Sequence, residues 1–444
     1  MLVKNKNGKV VVFTDNLLRF PLKTFIDNFN PSKTVRLVPG SQKQRNTKRS
    51  TIGQSNKQKI GSSVKNKALA KNKMVNSNVN VSFKNVIPVK GNKAKQKKVE
   101  TNNKLNYKLP IYFLNNYAPN VEKTVTEIQK QARAMFQIYK GHHLYQKKEF
   151  QRWFLNKIAV VINYIEMYNN FLHDVSTSCI IVSTTNRHTS RILALVAAEK
   201  GIPTICMQHG IISNELGYLP KIATVDAVYG KFEVDWYQKK GAQPETLEII
   251  GHPRFDQAFS RSRVSRANFN KYFDLDPRKK TLLIAIRGMK ELDSWKVLID
   301  TISKKLDLNI LIKDFPNFTG KSHVLSKEFP LVRFVRKYNL YDIFPHVDAV
   351  VAYTSTVGLE AMLAEKSVFI LNKKFDSYTG YYNRLDQMAQ SDPRKLAKLV
   401  IKYFTDPNWK SYTTNIREKF LSYAYPDRTM SGERLKKLIN KLIN

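Results

Sequence analysis

The sequence predicts an α/β protein of two Rossmann-like, doubly wound domains, with a disordered basic insertion near the N-terminus. Three observations carry this. Short β-branched runs alternate with helical segments of about 10–15 residues, the pattern of parallel sheets with right-handed crossovers. The alternation stops once, at FSRSRVSRANFNKYFDLDPRKK (259–280), and then restarts. A lysine-rich stretch with almost no aromatics and no apolar period interrupts the first domain. At 444 residues and 42% hydrophobic content the chain exceeds one ordinary core and can fill two.

Taken in order, GKVVVFTDN (8–16) reads as a short buried strand ending at a polar loop. Pro31–Lys108 follows as a basic low-complexity linker, and order resumes at KLPIYFLNNY (108–117). Residues 121–172 read as helical, with apolar residues recurring at three and four. SCIIVST (178–184) is a strand, TSRILALVAAEKG (189–201) a helix closed by Gly201, and PTICMQ (203–208) a strand. ATVDAVYG (223–230) and TLEIIG (246–251) are strands around a short helix in FEVDWYQKKGA. Past the basic, turn-rich break come strands TLLIAIRG (281–288), NILIKDF (309–315), LVRFVR (331–336), DAVVAYTS (348–355) and SVFILN (367–372). Helices LDSWKVLIDTISKKL and VGLEAMLAEK lie among them, and the chain from Asp392 is helical, ending in RLKKLINKLIN. The expected domains are 1–30 with 109–265, then 275–425, then an amphipathic C-terminal helix at 426–444.

The net charge is +40, and the 31–108 segment holds nearly half of it, with 20 Lys/Arg against the single acid Glu100. A basic body favours nucleic acid, anionic lipid or phosphorylated ligands. A lysine- and asparagine-rich composition with no specific partner is the plain alternative. Aromatics do not interleave the basic segment as stacking platforms would, which disfavours nucleic acid. Cys179 and Cys206 lie in apolar strand-like runs and are expected as buried, reduced thiols. MLVKNKNGKVVVF lacks the apolar core of a signal peptide, and no run of about 18 apolar residues occurs. A cytoplasmic location is expected, with the basic segment able to hold the chain to the anionic inner face of the cell membrane.

Ligands of doubly wound domains bind at the carboxyl ends of the strands. In YTSTVGLEAMLAEKSVFILN (353–372), Thr354, Ser355, Thr356 and Gly358 join a strand end to a helix start. Small hydroxyls and free N–H groups there make an anion site, and Glu360 is placed to accept from a ribose. A carboxylate that merely complements the helix dipole is the competing reading. In EIIGHPRFDQ (248–257), Arg254 could hold phosphate and Asp256 could cap the following helix, or the two form a structural pair. In AIRGMK (285–290), Arg287 and Lys290 flank Gly288 as a phosphate grip. In STTNRHTSR (183–191), Asn186 and Arg187 could touch an acceptor, with Thr189 or Ser190 as a helix cap. In TICMQHGIISNELGYLP (204–220), Gln208, His209 and Gly210 end a strand, either as a plain turn or as a reactive site.

Taken together, Asn186-Arg187, GIPTICMQHG, VDAVYG, IIGHPRFD, ILIKDFP and DAVVAYTSTVGLEAMLAEKSVFIL resemble bacterial glycosyltransferases of the GT-B fold. The likeness is to enzymes that build capsular and other surface polysaccharides, with CDP-glycerol glycerophosphotransferases as relatives, and it covers roughly residues 175–375. It implies His209 as general base or phosphate contact, the Ser355-Thr356 turn and Glu360 as the donor nucleotide's site, and His252 and Arg254 near the interdomain hinge. Many relatives carry Lys-x-His-Pro where this chain has Lys313-Asp314-Phe315-Pro316, which leaves Lys313 as the remaining donor-phosphate candidate. Glu360 and Glu365 do not form the Glu-x7-Glu pair of retaining families.

The expected activity is inverting, metal-independent transfer of a sugar from a nucleotide-sugar donor to a polysaccharide or lipid-linked acceptor, with no cofactor. Glycerophosphotransfer from CDP-glycerol, nucleotide-sugar 2-epimerisation, an inactive transferase-like scaffold, and a non-catalytic nucleic-acid- or membrane-binding role are the rivals.

Overall fold

A computed structural model describes residues 6–40, 109–260, 264–286, 291–314, 323–336, 338–372, 377–428 and 430–444. Apart from residues 31–40, the basic segment lies outside the described residues, as do Arg287, Lys290 and Phe315. The described chain divides into two compact units. One falls within Asn7–Arg19 and Asn30–Thr177, the other within Met1–Lys6, Phe20–Phe29 and Ser178–Asn444.

In the first unit, β1 (Lys9–Phe13) pairs parallel with β2 (Thr34–Val38), and β2 with β3 (Ile111–Phe113). Strand β2 therefore lies inside the stretch expected as linker from Pro31. TVRLV buries Thr34, Val35 and Leu37 against β1, and its five residues are too short a pattern to stand out among lysines. A helical hairpin, α2 (Glu122–Ile138) and α3 (Lys148–Asp174), occupies the expected helical region. The helix α1 (Leu22–Asn28), which carries no apolar period long enough to announce it, belongs to the second unit.

The second unit holds β4 (Thr177–Val182), α4 (His188–Glu199), β5 (Thr204–Met207), β6 (Val225–Val228), α5 (Lys231–Lys239) and β7 (Leu247–Ile249), with strand order β4-β5-β6-β7. All pairings are parallel. The helix α6 (Arg266–Phe273) lies inside the stretch expected to be turn-rich, started by the Ser265 hydroxyl accepting from Asn268 N–H at 3.3 Å. Phe269 and Phe273 bury its inner face, and its basic residues hid that spacing.

A second parallel sheet follows: β8 (Thr281–Ile286), α7 (Leu292–Ser303), β9 (Asn309–Asp314), α8 (His323–Glu328), β10 (Val332–Phe334), α9 (Leu340–Ile343), β11 (Ala349–Tyr353), α10 (Thr356–Leu363), β12 (Ser367–Leu371) and β13 (Ala389–Gln390). Its order is β10-β9-β8-β11-β12-β13. Strand β8, TLLIAI, is buried throughout, as expected for a central parallel strand covered on both faces. The strand order reverses between β8 and β11, and the carboxyl end of β11 is Tyr353-Thr354-Ser355. That is where doubly wound sheets place ligands. Asp392 and Asp406 cap α11 (Pro393–Thr405) and α12 (Pro407–Ala424), each with proline at the first helical position. The chain ends in α13 (Ser431–Ile443). The two Rossmann-like domains expected from the alternation are present.

Cys179 and Cys206 are both buried free thiols. Burial pushes the Cys179 thiol up to about 12 and raises that of Cys206 as well.

Candidate functional site

Strand β5 delivers Gln208, His209 and Gly210 at its carboxyl end. Gln208 is buried, and its orientation is fixed by chemistry. Tyr229 N–H donates to its Oε1 at 2.9 Å, so its Nε2 must donate, and does so to Gly210 O (2.8 Å) and Glu233 Oε1 (2.9 Å). The Tyr229 hydroxyl donates to Gln208 O at 3.0 Å. Glu233 Oε2 accepts from Gly230 N–H at 3.0 Å, closing the first turn of α5. Glu233 is fully buried, and desolvation pushes its carboxyl up to about 8.

His209 is half-buried and stacks on Tyr218, with ring centroids 4.9 Å apart and planes 10° from parallel. The Tyr218 hydroxyl donates to Gly210 O (2.9 Å) and Ile211 O (3.0 Å), so one tyrosine both faces the imidazole and fastens the loop behind it. A cavity at the carboxyl ends of β4, β5 and β6 is lined by Thr184, Thr185, Gln208, His209, Gly217 and Tyr218, among others.

The loop after His209 reaches the second sheet. Ile211 N–H donates to Thr356 Oγ1 at 3.2 Å, and Thr379 N–H donates to Ser213 O at 3.2 Å. A Cβ on Gly210 would lie 3.1 Å from Thr356 Oγ1, so glycine permits this approach. The two motifs are thus joined by one hydrogen bond at the first residue of α10. Ser355 is the N-cap residue of α10 without a side-chain cap bond, and its buried Oγ has no partner among the described residues. Tyr382 supports the turn: its hydroxyl donates to Ser355 O at 2.5 Å and accepts from Leu359 N–H at 3.0 Å. Gly358 is required here, since a Cβ would meet the Tyr382 hydroxyl at 2.7 Å. The N–H groups of Thr356 and Val357 belong to the first turn, which has no intrahelical acceptors. Thr354 Oγ1 donates to Asn372 Oδ1 at 2.9 Å.

Arg254 and Glu360, read from sequence as separate ligand contacts, meet each other. Arg254 Nη2 donates to Glu360 Oε1 at 3.1 Å, with both residues buried. The guanidinium carbon lies 4.7 Å from the Phe255 ring centroid, and Nε and Nη1 have no hydrogen-bond partner among the described residues. His252 is fully buried. Its N–H donates to the Tyr425 hydroxyl at 2.9 Å, and its Nδ1 accepts from Arg254 N–H at 3.1 Å. Gly251 adopts φ +71, and a Cβ there would meet the Tyr425 hydroxyl at 2.3 Å. The GHPR turn is therefore a packing joint.

Asp256 does cap a helix, but not the following one. Its carboxylate accepts from Ser431 and Gly432 N–H, both at 3.1 Å, at the start of α13. No sequence-local signal could show that, since the partner lies 175 residues away. At the β4 end, α4 begins at His188 with Arg187 as its N-cap position, so neither Thr189 nor Ser190 caps it. Ser190 Oγ instead donates to Arg187 O at 3.3 Å. Asn186 and Arg187 are exposed there.

Lys313 is tied into the fold. Its ammonium donates to the carbonyls of Val335 (3.1 Å), Arg336 (2.9 Å) and Tyr338 (2.6 Å), and burial lowers it to about 8. The Asp-x-Asp triplet at Asp274–Asp276 ends α6: Asp274 is its left-handed C-cap residue and Asp276 pairs with Arg278 at 3.1 Å. Sequence reasoning missed Glu233, Tyr218 and Tyr382. Glu233 stands three residues after Gly230, a spacing that suits a capping carboxylate, whereas the two tyrosines carry no local signal.

Residues 296–402 match the family described as capsule polysaccharide biosynthesis protein, a segment from within α7 to within α11 that contains the STVGLEA motif. No curated protein matches the chain. Among solved structures, the UDP-GlcNAc 2-epimerase from Neisseria meningitidis bound to UDP-GlcNAc is 10% identical, with 98% of each chain covered and a TM-score of 0.57. Anabaena Alr3699/HepE in complex with UDP and glucose is 9% identical, with 98% of this chain and 100% of that chain covered and a TM-score of 0.52. At such identities the likeness is one of fold.

Proposed function

We propose that this chain, which resembles GT-B enzymes of surface polysaccharide biosynthesis, transfers a sugar from a nucleotide-activated donor to the hydroxyl of a polysaccharide or lipid-linked acceptor. The observation that supports this most is the hydrogen bond from Ile211 to Thr356. It ties the loop two residues after His209 to Thr356, the first residue of α10. In the proposed reaction His209 takes the proton of the acceptor hydroxyl. That oxygen forms a bond to the anomeric carbon as the bond to the diphosphate breaks, which inverts the centre. The first turn of α10 meets the charge gathering on the leaving diphosphate. Tyr218 fixes the imidazole plane.

Epimerisation is the second reading, favoured by the fold likeness to the Neisseria enzyme. It requires acid and base groups that address the sugar ring. Glu233 is buried behind Gln208 and Glu360 is held by Arg254, which favours transfer. Incubating the protein with UDP-GlcNAc and with CDP-glycerol, with and without a polysaccharide acceptor, separates the readings. Transfer gives an acceptor-dependent product that His209→Ala abolishes while its melting curve stays wild-type. A 2-epimer formed without acceptor, or full turnover by His209→Ala, overturns the proposal. The basic segment 31–108 is further proposed to bind an anionic membrane surface, so deleting it weakens salt-sensitive vesicle binding. Equal binding by the deletion contradicts that role.

A further inference from the structure

The hairpin α2–α3 is fastened from inside at its turn. Phe136 packs against Tyr145, Phe150 and Phe154, with ring centroids 5.4, 6.3 and 5.6 Å away. Tyr145 N–H donates to His142 O at 2.9 Å, and the Gln146 side chain donates to Lys140 O at 2.8 Å. Four large side chains at this end of the hairpin are exposed: Ile138 (73%), Tyr139 (60%), Trp153 (56%), whose ring also packs on Phe150 at 5.9 Å, and Leu144 (36%). Between Ile138 and Trp153 the chain also carries Lys140, Lys147, Lys148 and Arg152 against the one acid Glu149. Exposed apolar groups clustered on a soundly packed tip mark an interaction surface.

We propose that this tip docks on an anionic lipid bilayer. Ile138 and Leu144 enter the acyl boundary, Tyr139 and Trp153 lie at headgroup level, and the four cations meet lipid phosphates. Charge complementarity selects this occupant. A second copy of the chain would bring like charges together. Nucleic acid would use the rings and cations but leave Ile138 and Leu144 without a partner. The tip adds to the attachment proposed for the 31–108 segment, since stable attachment to a bilayer takes more than one weak signal.

The test is co-sedimentation of the full chain with vesicles of phosphatidylcholine alone or of equal parts phosphatidylcholine and phosphatidylglycerol. The wild type sediments with the anionic vesicles, and its tryptophan emission shifts to the blue. Trp153→Phe loses the shift, because Trp295 and Trp409 are already buried and the half-buried Trp236, packed on Tyr237 in α5, lies outside the tip. Lys147→Ser with Lys148→Ser weakens partition roughly 30-fold, at about 1 kcal/mol per lysine. Ile138→Ser with Trp153→Ser weakens the binding that survives high salt. All these positions are exposed, so melting curves stay wild-type and report intact folding. A wild type that ignores anionic vesicles overturns the proposal, and so do tip variants that sediment like the wild type. Tip-dependent binding to nucleic acid or tip-dependent self-association, without vesicle binding, also overturns it.

Discussion

Replacing Arg254 with methionine breaks the buried ion pair from one side. Arg254 is 6% and Glu360 7% exposed, so the carboxylate left behind has little water to turn to. Truncating one partner of a buried pair destabilises by about 3–5 kcal/mol. The guanidinium also sits 4.7 Å over Phe255, a contact worth about 1 kcal/mol. The single variant should therefore lose roughly 4–6 kcal/mol. Arg254→Met with Glu360→Leu removes both charges and should return to within about 2 kcal/mol of wild type, because apolar replacement of a buried pair is often neutral. Urea unfolding of the full chain, followed by circular dichroism, measures both. A single variant within about 1 kcal/mol of wild type, or a double variant no more stable than the single, refutes the reasoning. The double variant also isolates the ligand role: if Glu360 meets the donor ribose, a folded double variant binds nucleotide more weakly than wild type.

Two further outcomes follow from buried titratable groups. Glu233 holds its proton up to about pH 8 in the fold, against an ordinary carboxyl value of 4.5. Across that window the unfolded chain has released a proton that the native chain keeps. Stability therefore falls as pH rises through it, by at most about 1.4 kcal/mol per pH unit. Glu233→Gln should flatten this dependence in melting curves; an unchanged pH slope contradicts the assignment. Lys313→Met removes three bonds to carbonyls and should destabilise by about 2–4 kcal/mol, read from the urea midpoint, with nucleotide affinity changed less than twofold; selective loss of nucleotide binding in a stable variant would instead place Lys313 at the ligand.

The alternation of strands and helices was legible because each element writes its own period: TLLIAI and AVVAY are continuous apolar runs, and LDSWKVLIDTIS repeats at three and four. Elements without such a period, TVRLV among lysines and LKTFIDN, were not legible. The strand-end loops were legible as the edge where doubly wound sheets take ligands, and the loop after His209 does meet Thr356, through Ile211. What each polar residue contacts was not. Arg254 and Glu360 are 106 residues apart, and Lys313 reaches carbonyls more than twenty residues on, so sequence suggested ligands where the fold supplies the partners. Tyr218 and Tyr382 act through hydroxyls whose acceptors are set by tertiary packing.

The central claim is a nucleotide-donor site at the start of α10 with His209 beside it. Melting temperatures of wild type and His209→Ala, taken with UDP, CDP, CMP, GDP, dTDP and ADP, test it most directly. A ligand that binds the fold alone stabilises by about 2.7 kcal/mol at a hundred times its Kd. The account predicts that one nucleotide raises the melting temperature of both proteins, and that Thr356→Val weakens the response. If no nucleotide shifts the wild type while anionic vesicles or nucleic acid do, the donor site and the transfer reading are both contradicted.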